Sequence, residues 1–159
     1  MTELQTSLDV EARNDNKKVE GWLIWKNERK REYELKREAI MHSSPPPPDG
    51  QPRGLNIGDS TGRKGRKLAM MQQTEQWICL VEEVEQRLPM NLRLLLKLKQ
   101  EYKIGVRGRP IRWEIAWELS KQLSAIQKKD RSISPDTVDE WWERVVEYTV
   151  RLAAKKNLL

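Results

Sequence analysis

Cysteine and histidine are almost missing from this chain of 159 residues, which contains one of each. A single thiol, Cys79, allows no intrachain disulfide and no thiol-rich metal site, and its apolar setting WICLV predicts a buried side chain. His42 lies beside a run of prolines, so the sequence offers no Ser-His or Cys-His nucleophilic pair. These absences predict a protein that is not an enzyme and that binds no metal or other cofactor.

Phenylalanine is absent and long apolar runs are missing, whereas tryptophan occurs seven times. Tryptophan is therefore expected to supply much of the aromatic core. No stretch approaches the roughly 18 apolar residues of a membrane span, and the first residues show no apolar signal segment. The sequence consequently predicts no membrane partner and a reducing, cytoplasmic location.

Charged residues are abundant and unbalanced in sign. Lysine and arginine number 30 against 24 aspartates and glutamates, which gives a formal net charge of +6. This balance favours an anionic partner such as nucleic acid. The alternative is an ordinary basic protein whose charges cover solvated helix faces.

The N-terminal part of the chain divides into three segments by composition. Residues 1–16 are polar and without periodicity, so a disordered tail is expected. Residues 17–43 are expected to form a charged helix, either as a solvated arm or as a basic strip that contacts phosphate or a neighbouring subunit. Four prolines, Pro45 to Pro48, must stop that helix, and a glycine-rich passage follows. Residues 44–65 are therefore expected to be a linker.

Residues 66–159 show the periodicity of four amphipathic helices. The first carries an apolar stripe from Leu68 to Leu88 and ends at Pro89, and a leucine-rich helix follows at once. Two further helices begin at Ile111. About ninety residues suffice to bury one hydrophobic centre. The expected fold is all-α, with an N-terminal helical arm and a Pro-rich linker followed by a four-helix core.

The last two helices form a helix-turn-helix candidate over residues 111–157. The segment IRWEIAWELSKQL places Ile115 and Leu119 at helical spacing, and a short polar link follows. Ser134 is a candidate N-cap for the second helix, with Pro135 at its first position. In DNA-binding versions of this motif, the second helix enters the major groove.

Cations gather at turns and helix starts, where DNA-binding helical domains commonly meet phosphate. The candidates for phosphate contact are Arg63, Lys64, Arg66, Lys67, Arg107, Arg109, Arg112, Lys128, Lys129 and Arg131. Thr137 and Arg144 are the candidates for base edges, and Ser134 completes the DNA-binding set. The glycine-flanked cluster RKGRK is not a P-loop, because no Gly-Lys-Ser/Thr follows at the required spacing.

Two features bear on how the motif could bind DNA. The start of the second helix is acidic, with Asp136, Asp139, Glu140 and Glu143. Acid there complements the helix dipole or a protein partner better than it suits phosphate. Trp113 and Trp117 lie four positions apart and so share a face. Core packing is their expected role, with base stacking as the alternative.

The order of several segments is also informative. A charged helix leads into REAIMHSSPPPPDG, then GLNIGDSTGRKGRK, a long helix and LRLLLKLKQEY, and the chain closes on IRWEIAWEL and SPDTVDEWWERVV. The residues at the centre of the closing segments are Trp113, Ile115, Ala116, Ser134, Thr137, Val138 and Trp141. From about Glu34 to its end, the chain resembles RinA/ArpU-type phage regulators of late-gene transcription, whose C-terminal part is similar to region 4 of sigma factors.

The resemblance implies a small helical activator, encoded by a phage or prophage, that acts in the cytoplasm of a bacterial host. Its expected partners are double-stranded DNA and the host RNA polymerase. Two alternatives stay open. One is a small terminase subunit, a homo-oligomer that recognises viral DNA for packaging. The other is an interaction protein whose acidic helix binds the polymerase.

Overall fold

The chain forms six helices in the residues that the computed structural model describes, which are 3–42, 60–103 and 111–159. They are α1 (Glu3–Ile24), α2 (Lys26–Met41), α3 (Ser60–Arg87), α4 (Met90–Glu101), α5 (Ile111–Gln127) and α6 (Pro135–Lys155). No strand occurs in these ranges. The all-α prediction is therefore confirmed for the part of the chain that is described.

The central helix of the bundle is α6, which packs against α1, α3, α4 and α5. Val138, Trp142, Val145, Thr149 and Ala153 are all buried. Their spacing of three or four residues places them along one side of the helix. Each large apolar side chain buried in this way contributes about 1.5–3 kcal/mol, so α6 holds the other helices together.

The prediction of a disordered tail over residues 1–16 is wrong from Glu3 onward, because α1 begins there. The first sixteen residues contain no glycine or proline, so nothing in them stops a helix that extends outward from an anchored end. Val19 and Leu23 provide the anchor, since both side chains are fully buried. Over residues 5–18 the helix is exposed almost throughout.

The core contains α1 as well as the four later helices, so the expected four-helix core is too small. Gln100 of α4 donates a hydrogen bond to the Leu23 carbonyl oxygen at 3.0 Å. Trp142 of α6 donates its indole N–H to the Glu20 carboxylate at 3.2 Å. The inner half of the first helix is therefore part of the bundle rather than of a detached arm.

Trp25 divides the single helix expected over residues 17–43 into α1 and α2. Its backbone departs from helical geometry, with φ −99° and ψ 16°. The Lys103 ammonium lies 4.8 Å from the centroid of the Trp25 ring. The next residue, Lys26, is buried and forms an ion pair with Glu85 of α3 at 3.1 Å. These contacts hold the start of α2 against the bundle.

A hairpin formed by α2 and the first half of α3 projects from this core. The two helices pack along each other, yet no residue of 27–42 or of 62–76 is buried. The linker expected over residues 44–65 is helical from Ser60 onward, and its earlier part lies outside the described residues. Lysine and arginine favour helix, so the basic cluster forms the first turns of α3 and is not part of a linker.

Cys79 on α3 is exposed, so the prediction of a buried cysteine is wrong. Its neighbours Ile78 and Leu80 are both buried. Each residue of an α-helix is rotated by about 100° from the one before, so an apolar run of five residues reaches beyond the side that faces the core. The thiol belongs to that outer part of the run.

We expect Leu23→Ala to lower the free energy of unfolding by about 2–5 kcal/mol, because truncating a fully buried leucine leaves a cavity. Leu35→Ala is the matched control on α2. It should change this free energy by less than about 0.5 kcal/mol, since the Leu35 side chain is 61% exposed. Denaturant unfolding followed by circular dichroism compares the two variants. Equal effects would show that α1 does not belong to the folded core.

Candidate nucleic-acid interface

Four cations lie in the first two turns of α3, at the end of the hairpin farthest from the core. They are Arg63, Lys64, Arg66 and Lys67. Lys64 is half-buried and the others are exposed. None of the four has a carboxylate within ion-pair distance among the described residues. The positive end of the α3 dipole lies at the same place and adds to their field.

A groove runs between α2 and α3 beside this cluster. It has a volume of about 370 Å³ and is lined by Lys36, Ala39, Ile40, Lys67, Met70 and Met71. The Met70 side chain is 80% exposed. The hairpin therefore combines an apolar floor with lysines on its rim, a combination that the sequence pattern of a charged helix did not indicate.

The base of the hairpin is held by contacts between α1, α2 and α3. The Arg29 guanidinium lies 4.2 Å from the centroid of the Trp22 ring, and partial burial lowers the pKa of this arginine. Burial also raises the pKa of the Tyr33 phenol, and the neighbouring Glu75 carboxylate adds to that effect. These contacts fix the positions of α1, α2 and α3 relative to one another at the base of the hairpin.

The link between α5 and α6 folds back along α5. The Ser124 hydroxyl accepts a hydrogen bond from the Arg131 amide at 3.0 Å. The Ser120 hydroxyl accepts one from the Ile133 amide at 2.9 Å. The exposed cations of the link are Lys128, Lys129 and Arg131. Two serines of α5 therefore determine where these three cations lie.

The start of α6 is capped as the sequence predicted. The Thr137 amide donates to the Ser134 hydroxyl oxygen at 3.2 Å, and the hydroxyl oxygens of the two residues are 3.0 Å apart. Pro135 occupies the first helical position. Both hydroxyls are engaged within the cap, so they serve the helix end before any ligand.

Arg112 faces carboxylates of α6. Its guanidinium lies 2.8 Å from Asp136 and 3.3 Å from Asp139. This pairing satisfies the cation within the protein and makes it a weaker candidate for phosphate contact. Arg107 and Arg109 lie outside the described residues.

The exposed side of α6 carries more acid than base along most of its length. Its exposed acids are Asp136, Asp139, Glu140, Glu143 and Glu147, and its exposed cations up to residue 151 are Arg144 and Arg151. Arg151 pairs with Glu147 at 2.6 Å. Arg144 has no carboxylate partner among the described residues. It is thus the exposed cation of this surface that is free to meet a ligand.

Trp113 and Trp117 are exposed to solvent, so the expectation that they pack in the core is wrong. Their side chains are 59% and 69% exposed. The buried side of α5 is formed by Ile115, Ala116, Leu119 and Leu123. At about 100° per residue, the two tryptophans fall outside the sector of the helix that these residues occupy. A helical projection of the sequence already contained this signal.

Other kinds of site find little support in the described part of the chain. No group of three or more His, Cys, Asp or Glu side chains there could hold a metal ion. No helix of those ranges is both long and apolar enough to cross a bilayer.

The chain matches no protein-family model, no curated protein and no solved structure. Its resemblance to phage regulators therefore rests on the sequence segments quoted above.

We expect Ser134→Ala to lower the free energy of unfolding by about 1 kcal/mol, because the Thr137 amide loses its cap acceptor. Ser134→Asp is the matched variant. It restores an acceptor and adds a negative charge that the helix start favours, so its stability should stay close to that of the wild type. Urea unfolding measures both. A Ser134→Ala variant as stable as the wild type would contradict a structural role for this hydroxyl.

Proposed function

We propose that this protein binds double-stranded DNA without enzymatic activity and regulates transcription of phage late genes with the host RNA polymerase, in the bacterial cytoplasm. The observation that carries the proposal is the cluster of cations at the start of α3, which has no counter-charge among the described residues. The resemblance of the sequence to phage late-gene regulators supports the biological setting.

The cation cluster supports DNA binding through counterion release. DNA phosphates hold condensed cations, and a lysine or arginine that contacts a phosphate releases them to solution. Exposed lysines and arginines without carboxylate partners can make such contacts without first breaking an ion pair. Three of the four cations are exposed, and the hairpin carries them away from the bundle. Such contacts position a protein on DNA without reading its sequence.

The helix pair α5–α6 is assigned to the expected helix-turn-helix. In this assignment Lys128, Lys129 and Arg131 contact phosphate from the link. Arg144 approaches base edges from α6, with Thr137 at the start of the same helix. The acidic residues around Arg144 oppose deep insertion into a groove, so the hairpin and the link supply most of the affinity.

Three triple variants test where the DNA is held, because each removes three positive charges from a different place. They are R63Q/R66Q/K67Q in the hairpin, K128Q/K129Q/R131Q in the link, and R87Q/R151Q/K156Q as the matched control, whose cations already pair with carboxylates. We expect the hairpin variant to reduce the magnitude of the slope of log affinity against log salt by up to about three, since each lost phosphate contact removes about 0.9. The link variant should reduce it in the same direction, and the control should change it little.

Fluorescence anisotropy of a labelled duplex, titrated at several salt concentrations, gives these slopes. Equal slopes for all three variants would mean that overall charge attracts the DNA. Failure of the wild-type protein to bind the duplex at low salt, where phosphate attraction is strongest, would overturn the proposal.

A small terminase subunit remains the second candidate, because the apolar groove of the hairpin suits contact between copies of the chain. Ile40, Met70 and Met71 line that groove on the projecting part of the molecule. Light scattering of the purified protein distinguishes the two functions. A ring of many copies favours packaging, whereas a monomer or dimer favours transcription.

A third candidate is an interaction protein without DNA contacts, which the acidic exposed side of α6 favours. Five exposed carboxylates on that side fit a basic protein surface. Binding of purified host RNA polymerase in the absence of DNA, lost on replacing Glu140 and Glu143 by Gln, would favour this candidate over the first.

A further inference from the structure

The outer segment of α1, which is residues 5–16, is a helix that extends away from the bundle. All its side chains are exposed except that of Asp15, which is half-buried. Helical segments shorter than about 12–15 residues are marginal in water unless one side of the helix packs against a partner. Packing of one side is therefore the expected source of stability for this segment.

The side of α1 that faces the core continues into the outer segment. Val19 and Leu23 are fully buried, whereas Leu8 is 56% exposed and Ala12 is also exposed. At about 100° per residue, these four residues lie within about 60° of one another around the helix axis. Val10 is 54% exposed and lies on the opposite side. An apolar stripe thus runs along α1 and loses its cover where the helix leaves the bundle.

The outer segment is acidic. It carries Asp9, Glu11 and Asp15 against a single cation, Arg13. Asp9 and Glu11 lie to either side of the apolar stripe. None of the three carboxylates has a cation within ion-pair distance among the described residues. The cations that follow lie where the helix enters the bundle, as the contact of Lys18 with a buried tryptophan ring shows.

The groove of the α2–α3 hairpin has the length of this segment. Its cavity of about 370 Å³ adjoins a second cavity of about 420 Å³, and the lining residues that both share are Lys36, Met70 and Met71. Together the cavities extend along α2 from Arg29 to Ile40, which is about 16 Å at 1.5 Å per residue. Residues 5–16 span the same distance. At the inner end of the groove the charges of Arg29 and Glu32 offset each other.

The outer end of the hairpin is cationic. Residues 33–42 and 62–74 carry six lysines and arginines against two carboxylates, both of them on α2. Lys36 and Lys67 line the groove and are exposed, and neither has a carboxylate within ion-pair distance among the described residues. The exposed Met70 is an unbranched side chain that adapts to an irregular partner surface. The groove therefore suits a helix with an apolar side flanked by acid.

Two acidic surfaces of the chain could meet this groove, and only one offers apolar side chains. No large apolar side chain of α6 is exposed, so its acidic side has nothing to place on the methionines. The outer segment of α1 has both acid and the exposed Leu8. It cannot bend toward its own hairpin, because α1 is one helix from Glu3 to Ile24 whose inner half is anchored in the core. Like charge also opposes pairing of this segment with the same segment of another copy.

We propose that the outer segment of α1 from one copy docks in the hairpin groove of a second copy. Leu8 lies on the methionines, and the carboxylates beside it face Lys36 and Lys67. The contact joins two different surfaces, so it can be exchanged between two copies or repeated around a ring. It does not depend on the proposed binding of duplex DNA.

Sedimentation velocity of the full-length chain without DNA, over a range of concentrations at low salt, tests the apolar part of this contact. Leu8→Ala should raise the dissociation constant of self-association by roughly five- to thirtyfold, as expected for a buried interface residue. Val10→Ala is the matched control, because Val10 is exposed to the same degree on the opposite side of α1. It should leave the dissociation constant almost unchanged.

A charge exchange tests the polar part. D9K/E11K and K36E/K67E should each weaken self-association by more than tenfold, because each places like charges opposite one another. The chain with all four substitutions restores opposite charges and keeps the net charge of the wild type. It should associate nearly as tightly as the wild type, which a mere loss of α1 helix would not allow.

The matched control for charge is K128E/K129E in the link, which changes the net charge as much as K36E/K67E does. It should not weaken self-association, and circular dichroism verifies that every variant is folded. A wild-type chain that stays monomeric up to its solubility limit at low salt would refute the docking and leave the groove to another protein. Stronger association of D9K/E11K would also refute it, because that result indicates pairing of α1 with α1. These measurements contain no DNA, so their outcome is independent of duplex binding.

Discussion

Burial of one side of α6 is the constraint on which the rest of this structure depends. Val138, Val145 and Thr149 are fully buried among the four helices that surround α6. Because that side is committed to packing, only the opposite side of α6 remains available to ligands, and it is predominantly acidic. The same packing recruits the inner half of α1 into the core and leaves the hairpin of α2 and α3 outside it. The positions of the charged surfaces therefore follow largely from the packing of apolar side chains.

Helix ends and apolar stripes could be predicted from the sequence because they are local properties. Ser134 and Pro135 marked the start of α6, and Pro89 marked the boundary between α3 and α4. The participation of α1 in the core was missed because it depends on contacts such as that of Trp142 with Glu20, which are distant along the chain. No pattern within the first twenty-five residues reveals those partners.

In the candidate site, too, some features could be predicted from the sequence and others could not. The cations of RKGRK were identified from composition, but their position within a helix was not, because glycine has a low helix propensity and the passage before them is rich in it. The exposure of Trp113 and Trp117 was recoverable, since both fall outside the stripe that contains Ile115 and Leu119. The expectation of an aromatic core, which followed from the absence of phenylalanine, outweighed that signal. The pairing of Arg112 with α6 depends on how the link folds back, and spacing alone cannot give it.

The molecule thus presents surfaces of different chemistry: a cationic hairpin end, an acidic side of α6 and an aromatic side of α5. The first favours a polyanion and the second a basic protein surface. The third favours planar groups. Because these surfaces lie on different helices, occupation of one leaves the others exposed.

The 28 residues of α3 form one continuous helix that joins the hairpin end to the core. Arg63 and the first buried residue of this helix, Trp77, are separated by about 21 Å along its axis at 1.5 Å per residue. The helix fixes the distance between the cation cluster and the core, because it has no break at which the cations could be repositioned independently of the bundle. The helix also fixes the rotational position of the cluster about its axis. One inserted residue between these two points would turn the cation cluster by about 100° relative to the core, so helical register as well as charge decides which way the cluster faces.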